Sequence, residues 1–92
     1  MKQKAKDSFV VKNKKGLHTR PSTTLMKCAS SFRSKVTLKY QNSTVNAKSL
    51  LGILTLAAAR GSKIRVEAIG EDAEEAVKSI VKLAIDEFNI RY

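Results

Sequence analysis

One short segment of the sequence combines residue types that could carry out group transfer. Residues 16–21, Gly-Leu-His-Thr-Arg-Pro, contain the chain's only histidine, His18, and an arginine, Arg20, two residues later. An imidazole ring near neutral pH offers a nucleophilic lone pair without a separate base. A guanidinium group can pair with the oxygens of a phosphoryl group during its transfer. The pair therefore indicates phosphoryl transfer onto and off the ring of His18.

A helix is predicted to begin within this segment. Pro21 is tolerated in a first turn because the amide that it lacks would be unbonded there. An apolar stripe with helical spacing follows at Leu25, Cys28, Ala29 and Phe32. His18 would thus lie at a helix N-terminus, where N–H groups and the helix dipole favour phosphate. A lone histidine is also common here as an ordinary surface residue, so the local sequence leaves both interpretations open.

Cys28 is the other side chain that could act as a nucleophile. On one helix it would lie about 15 Å from His18, which is too far for a Cys–His pair. The chain has one cysteine and one histidine, so it can form neither an internal disulfide nor a zinc site of this type. We therefore expect no metal and no cofactor, and we expect Cys28 to face the core.

Ser49 precedes a strongly apolar stretch, residues 50–59, which is predicted to form a second helix that stops at Gly61. Serine is a good N-cap, which gives Ser49 a structural role. A phosphate would also be tolerated at such a serine and would reverse the local charge. Leu50 and Leu51 are adjacent and about 100° apart around a helix, so a second apolar face is predicted to be exposed for docking.

The other segments alternate between strand and helix patterns. Four strands are predicted from β-branched content and from alternation, at residues 8–12, 35–39, 44–45 and 63–69. An apolar stripe from Ala73 to Phe88 predicts a third helix, with Asp72 and Glu75 as its capping box. The order β-α-β-β-α-β-α indicates an α+β open-faced two-layer sandwich. In it, a four-stranded antiparallel sheet is covered on one face by three helices.

The size of the chain and its apolar segments limit its cellular context. Ninety-two residues fit a single domain, 1–92. The longest apolar run, residues 50–59, is too short to span a bilayer. The first ten residues lack the apolar region of a signal peptide. We therefore expect a cytoplasmic monomer without direct membrane insertion.

The net charge of +10 is unevenly distributed along the chain. Residues 1–65 carry fifteen basic side chains and one acidic one, whereas residues 66–92 carry seven acidic side chains. Such a field attracts acidic partners. Nucleic acid is an obvious candidate, but single-strand binders stack bases on exposed aromatic residues, and the three phenylalanines lie on predicted core faces. We therefore expect no nucleic-acid partner.

The segment around His18 resembles the phosphorylated segment of the HPr family, the histidine-containing phosphocarriers of the bacterial phosphotransferase system. The similarity continues through residues 47–52, Ala-Lys-Ser-Leu-Leu-Gly, which resemble the regulatory serine segment of that family. It continues again through residues 70–72, Gly-Glu-Asp, and the last helix. Spacing and element order agree over residues 8–88, so the resemblance implies the HPr-like fold for this chain.

The resemblance implies roles for individual residues. His18 would accept a phosphoryl group on Nδ1 from phosphorylated enzyme I and pass it to IIA domains of sugar permeases. Arg20 would contact the phosphoryl oxygens. Ser49 would be the target of HPr kinase/phosphorylase, and a phosphate there would weaken reception from enzyme I. Family members dock through their first two helices, which makes Leu50 and Leu51 candidate contacts. Such a protein is a stoichiometric carrier rather than an enzyme.

Two alternatives to this relay stay open at the level of sequence. The first is a regulatory binding module that is controlled through phosphorylation of Ser49, with little sugar transport. Its partner binding would survive replacement of His18. The second is a basic nucleic-acid-binding domain, whose affinity would fall steeply with salt.

Overall fold

Four strands and three helices follow one another along residues 3–90, the part of the chain that the computed structural model describes. Residues 1–2 and 91–92 of the predicted domain lie outside this range. The strands are β1 (Gln3–Val10), β2 (Lys35–Tyr40), β3 (Ser43–Asn46) and β4 (Lys63–Gly70). The helices are α1 (Thr19–Ser30), α2 (Leu50–Thr55) and α3 (Ala73–Ile85), and a 3-10 turn follows at Glu87–Asn89.

The strands form one antiparallel sheet in the order β1-β4-β2-β3. Side chains alternate along each strand, so the buried residues Ile64, Val66 and Ala68 of β4 face the helices. The opposite face of the sheet carries polar and charged residues and no helix covers it within residues 3–90. This arrangement confirms the predicted α+β open-faced two-layer sandwich.

The core lies between the helices and the inner face of the sheet. Leu25 of α1, Ile53 of α2 and Ile80 of α3 are fully buried there. Phe9 of β1 packs edge-to-face against Phe88, with ring centroids 5.8 Å apart and planes at 76°. The three helices are therefore held on the sheet mainly by burial of apolar side chains.

The first strand differs from its predicted bounds of residues 8–12. It begins at Gln3 and ends at Val10, because residues 3–7 pair with residues 66–70 of β4. This segment is polar and lysine-rich, so it lacks the apolar signal of a strand. β1 is an edge strand, where backbone pairing suffices and lysines are common.

The second helix is shorter than predicted. It ends at Thr55, whereas the apolar pattern predicted a helix through residue 59. Ala57 adopts a left-handed conformation with φ of +51°, which a continuing helix does not allow. The segment instead runs towards the loop before α1, where the carbonyl of Ala58 accepts a hydrogen bond from Leu17. A tertiary contact has thus overridden local helix propensity.

The third helix differs from its prediction at both ends. It stops at Ile85, and Phe88 reaches the core from the left-handed turn at residues 87–89. Asp72 is the N-cap residue by position, but its side chain makes no capping hydrogen bond, so the predicted capping box with Glu75 is wrong. The Asp72 carboxylate instead accepts hydrogen bonds from the amides of Arg33 and Ser34, both at 2.9 Å, and from the Ser34 hydroxyl.

Candidate functional site

His18 is the N-cap residue of α1. Its backbone is extended, with φ of −78° and ψ of −172°, and its carbonyl accepts the first helical hydrogen bond from Ser22 at 3.1 Å. The imidazole is half-buried, and the His18 side chain makes no capping hydrogen bond to the helix. Pro21 is buried inside that turn, as expected for a residue without an amide hydrogen. The predicted position of His18 at a helix N-terminus is confirmed.

The loop before His18 is fastened to the segment that follows α2. Leu17 donates a backbone hydrogen bond of 2.9 Å to the carbonyl of Ala58. Gly16 has φ of +72°, and a Cβ atom on it would lie 2.4 Å from the same carbonyl oxygen. Ser22, fully buried, donates its hydroxyl to the carbonyl of Leu17 at 3.0 Å. These contacts fix the backbone on which the imidazole is mounted.

A second anchor for this loop comes from the end of the chain. The buried side chain of Asn13 donates hydrogen bonds to the carbonyls of Glu87 at 2.9 Å and Ile90 at 2.7 Å. These two hydrogen bonds span more than seventy residues and attach the loop to the end of the folded core.

A shallow, open depression of about 360 Å³ lies beside the imidazole. It is lined by Lys15, Leu17, His18, Thr19, Leu54, Ala57, Ala58 and Ala59. An open depression of this kind does not enclose a small molecule as a ligand cavity would, and it suits contact with another protein. Lys15 lines the depression and Arg20 is exposed in the first turn of α1, so both add positive charge at this end of the molecule.

Ser49 caps α2, as predicted. Its Oγ accepts a hydrogen bond of 3.1 Å from the amide of Gly52. A Cβ atom on Gly52 would lie only 3.3 Å from that Oγ, so the glycine leaves room for the capping side chain. The serine is half-buried at the surface of the molecule.

The two leucines after Ser49 differ in exposure. Leu51 is 73% exposed, whereas Leu50 is half-buried. Leu54 lies one helical turn after Leu50, on the same face, and lines the depression beside His18. The predicted exposure of an apolar patch on α2 is confirmed at Leu51, and its use in docking stays a prediction.

Cys28 is half-buried and packs against the core, close to the environment that the sequence predicted. Burial raises the pKa of its thiol, which keeps the thiol protonated and weakly nucleophilic. Among residues 3–90, no three His, Cys, Asp or Glu side chains converge as the ligands of a metal ion would. In the same range, no helix has the length and apolar character needed to cross a membrane.

The contacts of Gly16, Leu17 and Ala58 are the part of the site that sequence reasoning missed. A glycine after three polar turn residues signals a turn, but it does not identify what lies against it. The left-handed Ala57 has no local signal, since alanine favours a helix.

Comparisons with known proteins place this arrangement in a family. A family model described as "PTS HPr component phosphorylation site" matches residues 5–86. The phosphocarrier protein HPr of Xylella fastidiosa strain 9a5c is 41% identical over 81 residues, which cover 88% of this chain and 91% of that protein.

Solved structures lead to the same family. A crystal structure of HPr-C-His from Thermoanaerobacter tengcongensis superposes with a TM-score of 0.90 at 36% identity, covering 96% of this chain and 99% of that one. A second crystal structure from the same organism, described as an HPr dimer, gives a TM-score of 0.75 at 41% identity, covering 85% and 90%.

Proposed function

The chain belongs to the HPr family of phosphocarrier proteins, and we propose that it carries a phosphoryl group on Nδ1 of His18, from phosphorylated enzyme I to the IIA domains of sugar permeases. The observation that carries this proposal is the place of His18. It is the only histidine of the chain and the N-cap of α1, inside the segment that the phosphorylation-site family matches.

The transfer step uses the ring of His18 as nucleophile. Its Nδ1 lone pair attacks phosphorus, and a P–N bond forms while the bond between phosphorus and its donor breaks. The donor leaves with the bonding electron pair, and Nε2 of His18 keeps its proton. Transfer to the IIA acceptor is the same step with His18 as the leaving group.

Positive charge around the ring supports this step. The phosphoryl group spreads negative charge over its oxygens during transfer, so nearby cations and helix N–H groups stabilise it. Arg20 in the first turn of α1 is proposed to contact these oxygens, and Lys15 lines the same depression. The contacts of Leu17 and Gly16 with Ala58 keep the ring in place before a partner arrives.

The partners are proposed to dock over the depression and the exposed part of α2. Leu51 is 73% exposed and Leu54 lines the depression, so one partner surface can cover both. Apolar side chains that a partner buries contribute strongly to such interfaces. Leu50 is proposed as a second contact, from its place on the same face as Leu54.

Ser49 is proposed as a regulatory site for HPr kinase/phosphorylase. A phosphate on its Oγ would put negative charge next to Leu50 and Leu51, within the proposed docking surface. The extra charge and its water shell would oppose burial of that surface by enzyme I. We propose that the carrier acts in the cytoplasm as a monomer, since His18 and Arg20, the residues proposed for transfer, lie on one copy of the chain.

Incubation with enzyme I and phosphoenolpyruvate tests the proposal. We expect the intact mass to increase by one phosphoryl group near neutral pH, and we expect mild acid to remove it. His18→Ala should gain no mass while keeping the far-ultraviolet circular dichroism of the folded protein. Ser49→Ala is the matched control and should still accept the group.

Two other experimental results would contradict the proposed relay function or favour a different one. If the parent chain gained no mass from an active cognate enzyme I, the relay function would be wrong. Binding of a partner that required phosphorylated Ser49 and survived His18→Ala would then favour the regulatory binding module.

A further inference from the structure

The open face of the sheet carries an excess of positive charge. Strand register places outward-pointing residues in rows, about 7 Å apart, across β1, β4 and β2. Six cations belong to these rows: Lys4, Lys6, Lys35, Lys39, Lys63 and Arg65. Glu67 is the one carboxylate of this face among residues 3–90, and it forms an ion pair with Lys39 at 2.8 Å. The face therefore has a formal excess of five positive charges.

The local fields of these cations overlap. A hydrogen bond from Lys39, together with the charges of Lys6 and Lys4, lowers the pKa of Glu67 although partial desolvation opposes this shift. Lysines on two different strands thus act on one carboxylate. A flat array of this kind produces a continuous positive potential rather than isolated charges.

The acidic residues lie on the other side of the molecule. Within residues 3–90, six of the eight acids of the chain belong to α3 and its flanks, which cover the inner face of the sheet: Glu71, Asp72, Glu74, Glu75, Asp86 and Glu87. Lys78 and Lys82 are the only basic side chains of residues 71–87, so the α3 surface has a formal charge of −4, opposite in sign to the open face. A negatively charged plane would attract the sheet side and repel the α3 side, which orients the protein.

Two exposed apolar side chains accompany the lysines of the open face. Ile69 is 44% exposed, and its direct neighbours across the strands are Lys4 and Lys35. Val10, 47% exposed, lies opposite Lys63 at the other end of the face. This combination suits a bilayer interface, where lysines meet anionic headgroups and apolar side chains enter shallowly.

A nucleic acid fits the same face less well. Phe9 points into the core from β1, and the rows of the open face contain no aromatic residue on which bases could stack. Five of the six cations are lysines, whereas planar arginine is preferred for paired contacts to phosphates and base edges. Exposed Ile69 and Val10 add nothing to contact with a phosphate backbone.

We propose that the open face of the sheet is a peripheral membrane-binding surface for bilayers that contain anionic phospholipids. The face adsorbs to headgroups without insertion of a helix. The depression beside His18 is lined by the β1–α1 loop, α2 and the segment after it, and none of these residues belongs to the rows of the open face. An adsorbed molecule thus keeps that depression accessible, and the proposal does not depend on phosphotransfer.

Vesicle sedimentation tests this surface with the full chain. We expect binding to phosphatidylcholine vesicles that contain phosphatidylglycerol, weak binding to pure phosphatidylcholine, and a steep loss of binding with added salt. Lys4→Gln combined with Lys35→Gln should weaken binding about 25-fold, since each cation near an anionic surface contributes about fivefold. The matched control, Lys78→Gln with Lys82→Gln on α3, removes the same charge from the opposite layer and should change binding less than threefold, about the precision of such titrations. Ile69→Ser should weaken binding without a change in charge.

Three results would overturn the proposal. The first is no binding to phosphatidylglycerol vesicles at low salt. The second is an equal loss of binding in both double variants, which would assign the effect to net charge rather than to this face. The third is tighter binding of the open face to duplex DNA than to vesicles at the same salt, which would make it a nucleic-acid surface.

Discussion

The amide of Leu17 donates a 2.9 Å hydrogen bond to the carbonyl of Ala58, and this bond joins the loop before His18 to the segment after α2. The two residues are forty-one positions apart in the sequence. Their contact explains why α2 stops early and why a glycine precedes Leu17. The position of the imidazole therefore depends on two segments that meet only in the folded chain.

Gly16→Ala should destabilise the protein and slow its phosphorylation. Alanine at φ of +72° costs about 1–2 kcal/mol, and overpacking against Ala58 adds about 1–3 kcal/mol. Urea unfolding and the rate of mass gain with enzyme I measure the two effects. Gly61→Ala is the control, because Gly61 also has positive φ but nothing lies within 4 Å of its added Cβ. If both variants lost stability and phosphorylation rate equally, the result would contradict a role for the close approach of Gly16 to Ala58.

Leu51→Ser should weaken docking of enzyme I without loss of stability. Leu51 is 73% exposed, so the free energy of unfolding should change by no more than about 0.5 kcal/mol. Loss of a buried apolar contact in the complex should raise the KM for the chain as substrate of enzyme I about fivefold. Ile85→Ser, at the 63% exposed end of α3, is the matched control and should leave KM unchanged. A KM for Leu51→Ser equal to that of the parent would exclude Leu51 from the docking surface.

Substitutions at Ser49 should separate its capping role from its charge. Ser49→Ala removes the acceptor for the Gly52 amide and should cost about 1 kcal/mol of stability, with phosphorylation of His18 by enzyme I intact. Ser49→Asp keeps a capping acceptor but adds negative charge, so it should be more stable than Ser49→Ala and should be phosphorylated more slowly. Chemical denaturation measures the stability of the two variants, and the initial rate of mass gain with enzyme I measures their phosphorylation. The more stable variant should be the one that is phosphorylated more slowly. Equal initial rates for the two variants would argue against charge at Ser49 as a control of reception.

Asp72 should make the stability of the fold depend on acid pH. Hydrogen bonds from the Ser34 hydroxyl and the amides of Arg33 and Ser34 hold the pKa of its carboxyl at about 2, below its usual 3.8. Well above pH 3.8 the carboxyl is ionised in both the folded and the unfolded state, so this stabilisation is fully present. Between about 4 and 2 the unfolded state binds the proton first, and the stabilisation is lost as pH falls.

Urea midpoints of the parent and of Asp72→Ala, measured from neutral pH down to about 2, test this dependence. The difference in urea midpoint between the parent and Asp72→Ala should be largest above pH 4 and should decrease towards pH 2. Glu74→Ala, which removes a carboxylate with 70% of its side chain exposed, should follow the parent at all pH values. A gap that stayed constant down to pH 2 would show that the Asp72 interactions do not require its charge.

Local sequence patterns were sufficient to predict most of the fold. Apolar and polar residues alternate along β2 and β4, and apolar stripes run along α1 and α3. These patterns have periods of two and 3.6 residues, respectively, because one face of each strand or helix is buried. Placement of His18 and Ser49 at helix N-termini followed from proline and serine at positions that those residues favour.

The discrepancies have a common physical origin. Asp72 was expected to cap α3, but its carboxylate bonds to residues 33 and 34, which the sheet brings beside it from the end of α1. Residues 3–7 form a strand because β4 offers them backbone partners rather than because their side chains favour one. A hydrogen-bond donor or acceptor can pair with a residue at any distance along the sequence. A local sequence pattern therefore does not identify its partner.

The sequence by itself determined the element order, the two-layer architecture and the residues with the chemistry for phosphoryl transfer, because burial periodicity and residue type are local properties. Tertiary structure decided where α2 ends, what holds the loop before His18, and that six cations from three strands share one open face. Those features depend on strand register and on long-range backbone contacts. Such contacts exist only once the chain has closed around its core.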